Sequence, residues 1–199
     1  MGLKNFTRIQ GHTPIDPNES AGLKIGSIST IDELNEWEQF NIEKALDWSS
    51  RRKFSKEKIL IPEFIHLVHK KMFEDVWTWA GEIRKSNKNL GVDKFKIRTE
   101  LYQLIENCKF WIENRTYDPD EIAIRFKYKI VSIHCYPNGN GRHSRLIADI
   151  IISNIFNMPV FSWGRRTLGS DDKARKTYLK TLKEADDGNL LPLLKFSRS

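Results

Sequence analysis

Cysteine is scarce in this chain: 199 residues carry two, Cys108 and Cys135. Such a pair builds no disulfide framework, and neither position has the spacing of a zinc site, so a reducing, cytoplasmic compartment is expected. Long apolar runs are also missing. The most apolar stretch, Leu146 to Phe156, is interrupted by Asp149, Ser153 and Asn154 and is too short to span a bilayer. The start, Met1-Gly2-Leu3-Lys4-Asn5-Phe6, lacks the apolar core of a secretory signal and has Phe6 where a myristoylation motif wants Ser or Thr. There is no internal repeat and no low-complexity tract. A soluble protein without membrane attachment is therefore expected.

What is present is enough for a real core. Hydrophobic residues make up 39%, with eleven Phe and six Trp, which suits one compact domain with an extended N-terminal region. Residues 1–28, rich in Gly, Pro, Asn and Ser, read as an arm that packs on the body, and residues 29–199 as the domain. A net charge of +7 suits ATP, an acidic protein or nucleic acid, and by itself selects none of them.

Apolar periodicity predicts an all-α protein. A first helix runs over about 29–49, with Leu34, Trp37, Asn41, Ala45 and Trp48 on one stripe and Thr30 to Glu33 fitting a capping box. Pro62 opens a second over about 63–79, and others follow over about 100–114, 119–132, 141–154 and 171–185, with a short last one near 190–196. Asp118 is placed to cap the 119–132 helix, and the 141–154 helix is apolar nearly all round, as a central helix should be. His66 and His69 are read as structural rather than metal-binding. Between 85 and 99, turn residues precede the alternation Val92, Lys94, Lys96 against Asp93, Phe95, Ile97. That pattern allows a short hairpin, although from the residues alone a surface loop is the plainer reading.

One stretch concentrates chemistry: His134-Cys135-Tyr136-Pro137-Asn138-Gly139-Asn140-Gly141-Arg142-His143-Ser144-Arg145. Gly and Asn let successive amides converge, and the following helix offers its N-terminal amides to the same point, which makes an anion pocket. Arg142 and Arg145, one turn apart, carry planar forks suited to phosphate oxygens. His134 at the pocket edge is a candidate general base.

The pattern H-x-[FY]-x-x-G-N-G-R-x-x-R, with Trp79-Ala80-Gly81 upstream, resembles the signature of Fic-domain proteins. The resemblance covers about 29–196, and in carrying Asn138 with Leu34-Asn35-Glu36-Trp37-Glu38-Gln39 the chain looks most like the subgroup called mobile mystery protein B. It implies a helical bundle with a short β-hairpin flap, and transfer of AMP from ATP to a protein hydroxyl. His134 would be the base, while Gly139, Asn140, Gly141, Arg142 and Arg145 would hold the phosphates. Gly91, Val92, Asp93, Lys94 and Phe95 would form the flap that docks an unidentified target protein. Asn138 stands where the family usually has the carboxylate that holds Mg²⁺. Three outcomes are open, namely weaker metal binding helped by the phosphates, another phosphate-containing donor, or a largely inactive nucleotide binder, and the first is expected. Ser29 to Asn35 is similar to the family's inhibitory helix motif, in which Glu33 would pair with Arg145, so Glu33 is either a cap or an inhibitor. Nucleic acid is not expected as a partner, and homo-oligomer formation stays open.

Overall fold

The computed structural model describes residues 20–164 and 171–199. Its helices are α1 (Ile31–Ser50), α2 (Lys56–Ile59), α3 (Pro62–Phe73), α4 (Ile97–Glu113), α5 (Pro119–Ile133), α6 (Asn140–Asn154), α7 (Asp171–Asp186) and α8 (Leu191–Arg198). The all-α expectation holds. Residues 1–19 of the expected arm and the Arg165-Arg166 pair lie outside the described residues. Among the described residues, no helix is long and apolar enough to cross a membrane.

α5 and α6 form the centre, with α4 and α8 against α5 and α3 against α6, while α1 covers α3. The sequence of α6 explains its place. Leu146, Ile147, Ala148, Ile150, Ile151 and Ile152 are all buried, so the helix is wrapped by apolar neighbours on nearly every side. Full burial of each Ile is worth about 1.5–3 kcal/mol, which anchors the turn preceding α6. α5 contributes Ile122, Phe126, Ile130 and Ile133 to the same core.

α1 begins with the expected capping box: the Thr30 hydroxyl accepts from the Glu33 amide at 3.2 Å, and Glu33 Oε2 accepts from the Thr30 amide at 3.0 Å. Its buried line differs from the expected one. Leu34, Glu38, Asn41, Ile42, Ala45 and Ser49 face inward, whereas Trp37 is 45% exposed. A glutamate takes the inward position because charged and hydrogen-bonding partners wait for it there. At the start of α5, Asp118 occupies the cap position without a side-chain cap bond, and Pro119 fixes the first turn.

Two further expectations are corrected. The helix expected to reach Trp79 stops at Phe73, since the backbone beyond it pairs with the arm: the Lys24 amide donates to Val76 O at 2.8 Å and the Thr78 amide to Gly22 O at 2.8 Å. Residues 20–28 thus pack on the body. The β-hairpin flap is absent; the segment 85–96 holds turns and bends, and the one isolated bridge among the described residues is Leu23 with Trp77. Here short polar side chains take the backbone amides that a hairpin would need, as Asn87 Oδ1 does for the Lys94 amide at 2.8 Å.

Removing the box tests its structural role. Thr30→Ala is expected to lower unfolding free energy by about 1 kcal/mol in urea titration, without altering the rest of the fold.

Candidate functional site

α5 ends on His134, whose backbone is left-handed (φ 58, ψ 61). A residue other than glycine in that region costs on the order of 1–3 kcal/mol and persists where its surroundings fix it. Arg84 does much of the fixing. Its buried guanidinium donates through Nε to His134 O at 2.7 Å, through Nη1 to Ser86 O at 2.8 Å and through Nη2 to Val92 O, while its amide donates to Cys135 O at 3.0 Å. The His134 side chain is buried. Burial first, then the positive charges of Arg84 and Lys88, push its pKa down to about 4, so the imidazole is neutral at pH 7 and able to accept a proton.

The turn that follows is closed by its own polar groups. Asn140 Oδ1 accepts from the Tyr136 amide at 2.9 Å and its Nδ2 donates to Tyr136 O at 2.8 Å. The Asn140 side chain is therefore a clasp, and what this position offers an anion is its backbone. Asn138 Oδ1 accepts from the Gly139 amide at 2.7 Å, and Asn138 O accepts from His69 Nε2 at 3.1 Å. The other nitrogen of His69 accepts from the Gly81 amide at 3.0 Å. An amide can only donate, so His69 is a neutral ring with its proton on Nε2; burial, the largest cause, holds its pKa well below the usual value. Tyr136 stacks on His69 with ring centres 3.7 Å apart. Gly139 has φ 78, and a Cβ there would stand 2.4 Å from the Phe73 ring, so only glycine fits.

α6 opens at Asn140 with no side-chain cap, so no capping side chain takes its first-turn amides. Arg142 lies over the Phe73 ring at 5.1 Å, and Arg145 lies 5.5 Å from the centre of the Tyr178 ring. Arg142 also meets α1. Glu38 Oε2 pairs with Arg142 Nη2 at 2.7 Å, and Glu38 Oε1 accepts from Trp77 Nε1 at 2.7 Å. Glu38 is 2% exposed, so both its oxygens are committed inside the protein.

His134, Gly139, Asn140, Gly141, Arg142 and Arg145 thus come from one turn and one helix start, as expected from their spacing. Gly91 joins them, since a Cβ on it would come within 2.5 Å of His134 Cβ. Val92 follows through its amide bond to Ile133 O at 3.3 Å. Asp93, Lys94 and Phe95 continue as an exposed or half-exposed loop. Ser29 and Glu33 are elsewhere: Glu33 Oε2 accepts from the Ser29 amide at 2.7 Å and from the Ser29 hydroxyl at 3.1 Å, which holds the Glu33 carboxyl below its usual range. The expected Glu33 to Arg145 pair does not form, because the carboxylate is consumed by the cap. Asn138 offers a metal one neutral oxygen already bonded to an amide, and no His, Cys, Asp or Glu group suited to a metal exists among the described residues.

Sequence reasoning missed Glu38 and Arg84, and it read His69 as structural without finding the two loops that this ring joins. Glu38 stands four residues beyond Leu34 on the inward line, and a charge at such a position demands a partner.

Residues 59–152 match the Fic/DOC family model. Protein adenylyltransferase Fic of Drosophila erecta is 25% identical over 170 residues, covering 84% of this chain and 32% of that protein. The protein of the same name from Drosophila melanogaster is 26% identical over 171 residues, with the same shares of each. The chain thus spans about a third of the length of these curated relatives. Among solved structures, Fic-1 from C. elegans superposes with a TM-score of 0.67 at 24% identity, over 89% of this chain and 51% of that one. BepC from Bartonella tribocorum, with bound AMPPNP, gives 0.68 at 15% identity, over 90% of this chain and 95% of that one. Those structures share the fold.

The buried imidazole sets two expectations. Nuclear magnetic resonance titration of His134 should place its midpoint near 4, with Arg84→Gln moving it up and Arg84→Lys keeping it low. Because the unfolded imidazole binds its proton near 6.5 and the folded one near 4, the unfolded state holds more protons between those values. Stability in urea should therefore rise with pH across that window and be lost as pH falls through it.

Proposed function

We propose, on the match of residues 59–152 to the Fic/DOC family model, that the chain moves AMP from ATP to a Ser, Thr or Tyr hydroxyl of a target protein. The observation that carries the reading is His134, neutral at the edge of an uncapped helix start with Arg142 beside it. His134 takes the hydroxyl proton as that oxygen attacks the α-phosphorus; the bond to the bridging oxygen breaks and pyrophosphate leaves. Base assistance of this kind is commonly worth about 10²–10⁴-fold. The Gly139 amide is held by Asn138 Oδ1, so the amides of Asn140 and Gly141 stabilise charge on the transferred group, and Arg142 and Arg145 orient the β- and γ-phosphates.

The inhibitory role that the sequence offered to Ser29 and Glu33 passes in this proposal to Glu38. With Glu38 seated, Arg142 is already paired, and α1 plugs the phosphate site. Ser29 and Glu33 serve the plug by fixing where α1 begins. Among the described residues the donors make no magnesium site by themselves, so Mg²⁺ arrives as Mg²⁺–ATP with phosphate oxygens supplying its charge. The same Asn138 amide supports the second reading, a weak or inactive nucleotide-binding module or transfer of another phosphate-containing group. Assignment to the mobile mystery protein B subgroup rests on Asn138 and on the Leu34 to Gln39 stretch that contains Glu38.

Incubation with α-labelled ATP and Mg²⁺ separates these readings. Glu38→Gln, which keeps an acceptor for Trp77 Nε1, should raise labelling of lysate proteins or of the chain itself roughly tenfold or more over wild type, whereas Glu33→Gly should match wild type. His134→Ala in the Glu38→Gln background should abolish the label. Nucleotide binding without label in any variant would establish the binding module instead.

A further inference from the structure

Lys127 has no part in the chemistry above, yet it is fully buried, two turns before His134 on α5. Among the described residues no carboxylate pairs with it. Its Nζ donates to the Tyr178 hydroxyl at 2.6 Å and lies 4.2 Å from the centre of that ring. A methionine or leucine would fill such a place without the cost of a desolvated amine, so a lysine there calls for an electrostatic reason.

The surroundings supply one. Tyr178 of α7 also meets Arg145 of α6, whose guanidinium carbon is 5.5 Å from the ring centre. The Tyr178 hydroxyl interacts with the Ser144 side chain, which donates to Gly141 O at 2.9 Å, and a Cβ on Gly141 would stand 3.9 Å from that hydroxyl. Lys127 therefore stands behind the first turns of α6, one aromatic ring away from Arg145. Burial first, and then the Arg145 charge, hold its amine well below the usual range, while burial pushes the Tyr178 hydroxyl up to about 12 and keeps it neutral. Negative charge arriving at Arg145 offsets the second of these influences, so a bound polyphosphate favours the ammonium form and is attracted by it in a low-dielectric setting. We propose that Lys127 and Tyr178 are positioning residues for Arg145 that tune the site to a nucleoside polyphosphate over a monophosphate. The Tyr178 ring fixes where the Arg145 guanidinium lies, and Lys127 fixes the ring and backs it with positive charge.

The inference rests on the reading of Arg142 and Arg145 as phosphate clamps but not on transfer, because its test reads nucleotide binding. The full chain carrying Glu38→Gln is titrated by fluorescence with the methylanthraniloyl derivatives of ATP and AMP, each with Mg²⁺. Lys127→Met should cut the preference for the ATP derivative about tenfold and leave affinity for the AMP derivative within about twofold. Tyr178→Phe, which keeps the ring and loses the hydroxyl, should cut the preference about threefold, and it gives an independent reading if Lys127→Met does not fold. Thermal melting should show Lys127→Met at least as stable as its parent, because a buried amine has been removed. In an Arg145→Gln background, Lys127→Met should change the preference by less than about twofold, since a residue that acts through Arg145 has nothing left to act on. Equal weakening of both nucleotides would reduce the pair to core support. That result, an unchanged preference in both variants, or an undiminished drop in the Arg145→Gln background would overturn the proposal. A Glu38→Gln parent that binds the ATP derivative no more tightly than the AMP derivative would overturn the phosphate-clamp reading and this proposal with it. Absence of transferred label with the preference and its loss as stated would remove the transferase reading alone.

Discussion

The buried guanidinium of Arg84 holds three carbonyls that belong to three pieces of chain: the end of α5, the start of the loop after Trp79-Ala80-Gly81, and Val92. A planar fork with donors on several edges suits this task, and a lysine ammonium would satisfy it poorly. Without that tie, the left-handed backbone at His134 would lose its fixing partner and the 85–96 loop its anchor. Geometry and electrostatics arrive together, since the charge that orients the His134 carbonyl also disfavours protonation of the His134 ring.

A second constraint comes from outside the motif. Glu38 carries charge into the core of the α1–α3 contact and is compensated there by Arg142 and by the Trp77 indole. Burial of a carboxylate is costly unless each oxygen is bonded, and both are. In the proposed transfer Arg142 holds phosphate, and there the pair that lets α1 dock would set the stability of α1 on the bundle against the readiness of that side chain. Protein interiors that couple two roles through one ion pair are suited to switching, because a competing anion changes both at once.

Much of this was legible in the residues. The capping box at Thr30, the apolar circumference of α6, Pro119 at the start of α5 and the histidine-to-arginine turn depend on local rules, and local rules act at fixed spacing. The failures share a cause of another kind. Trp37 was assigned inward, and Glu38 was left off the inward line, because hydrophobicity alone ranks them so; the deciding partners, Trp77 and Arg142, are distant in sequence. The helix expected to reach Trp79 stops where Gly22 and Lys24 claim its backbone. The hairpin came from the resemblance, whereas the residues alone favoured the loop that is found, in which Asn87 and Asp93 intercept the Lys94 and Phe95 amides. In each case long-range or side-chain hydrogen bonding outranked periodicity, as it does wherever backbone groups are buried away from water.

His69 behaves in this structure like a peptide unit inserted between two loops. It accepts one hydrogen bond from Gly81 and donates one to Asn138, which is what a residue of a neighbouring strand would do. Among the described residues, which hold no sheet, the bundle thereby acquires a rung of a ladder, made from a side chain, between the Trp79-Ala80-Gly81 turn and the glycine loop. That rung has a polarity. Reversing the ring's tautomer would set two hydrogens face to face at Gly81 and two lone pairs face to face at Asn138, so the anion loop is keyed to a single proton position as well as to a shape.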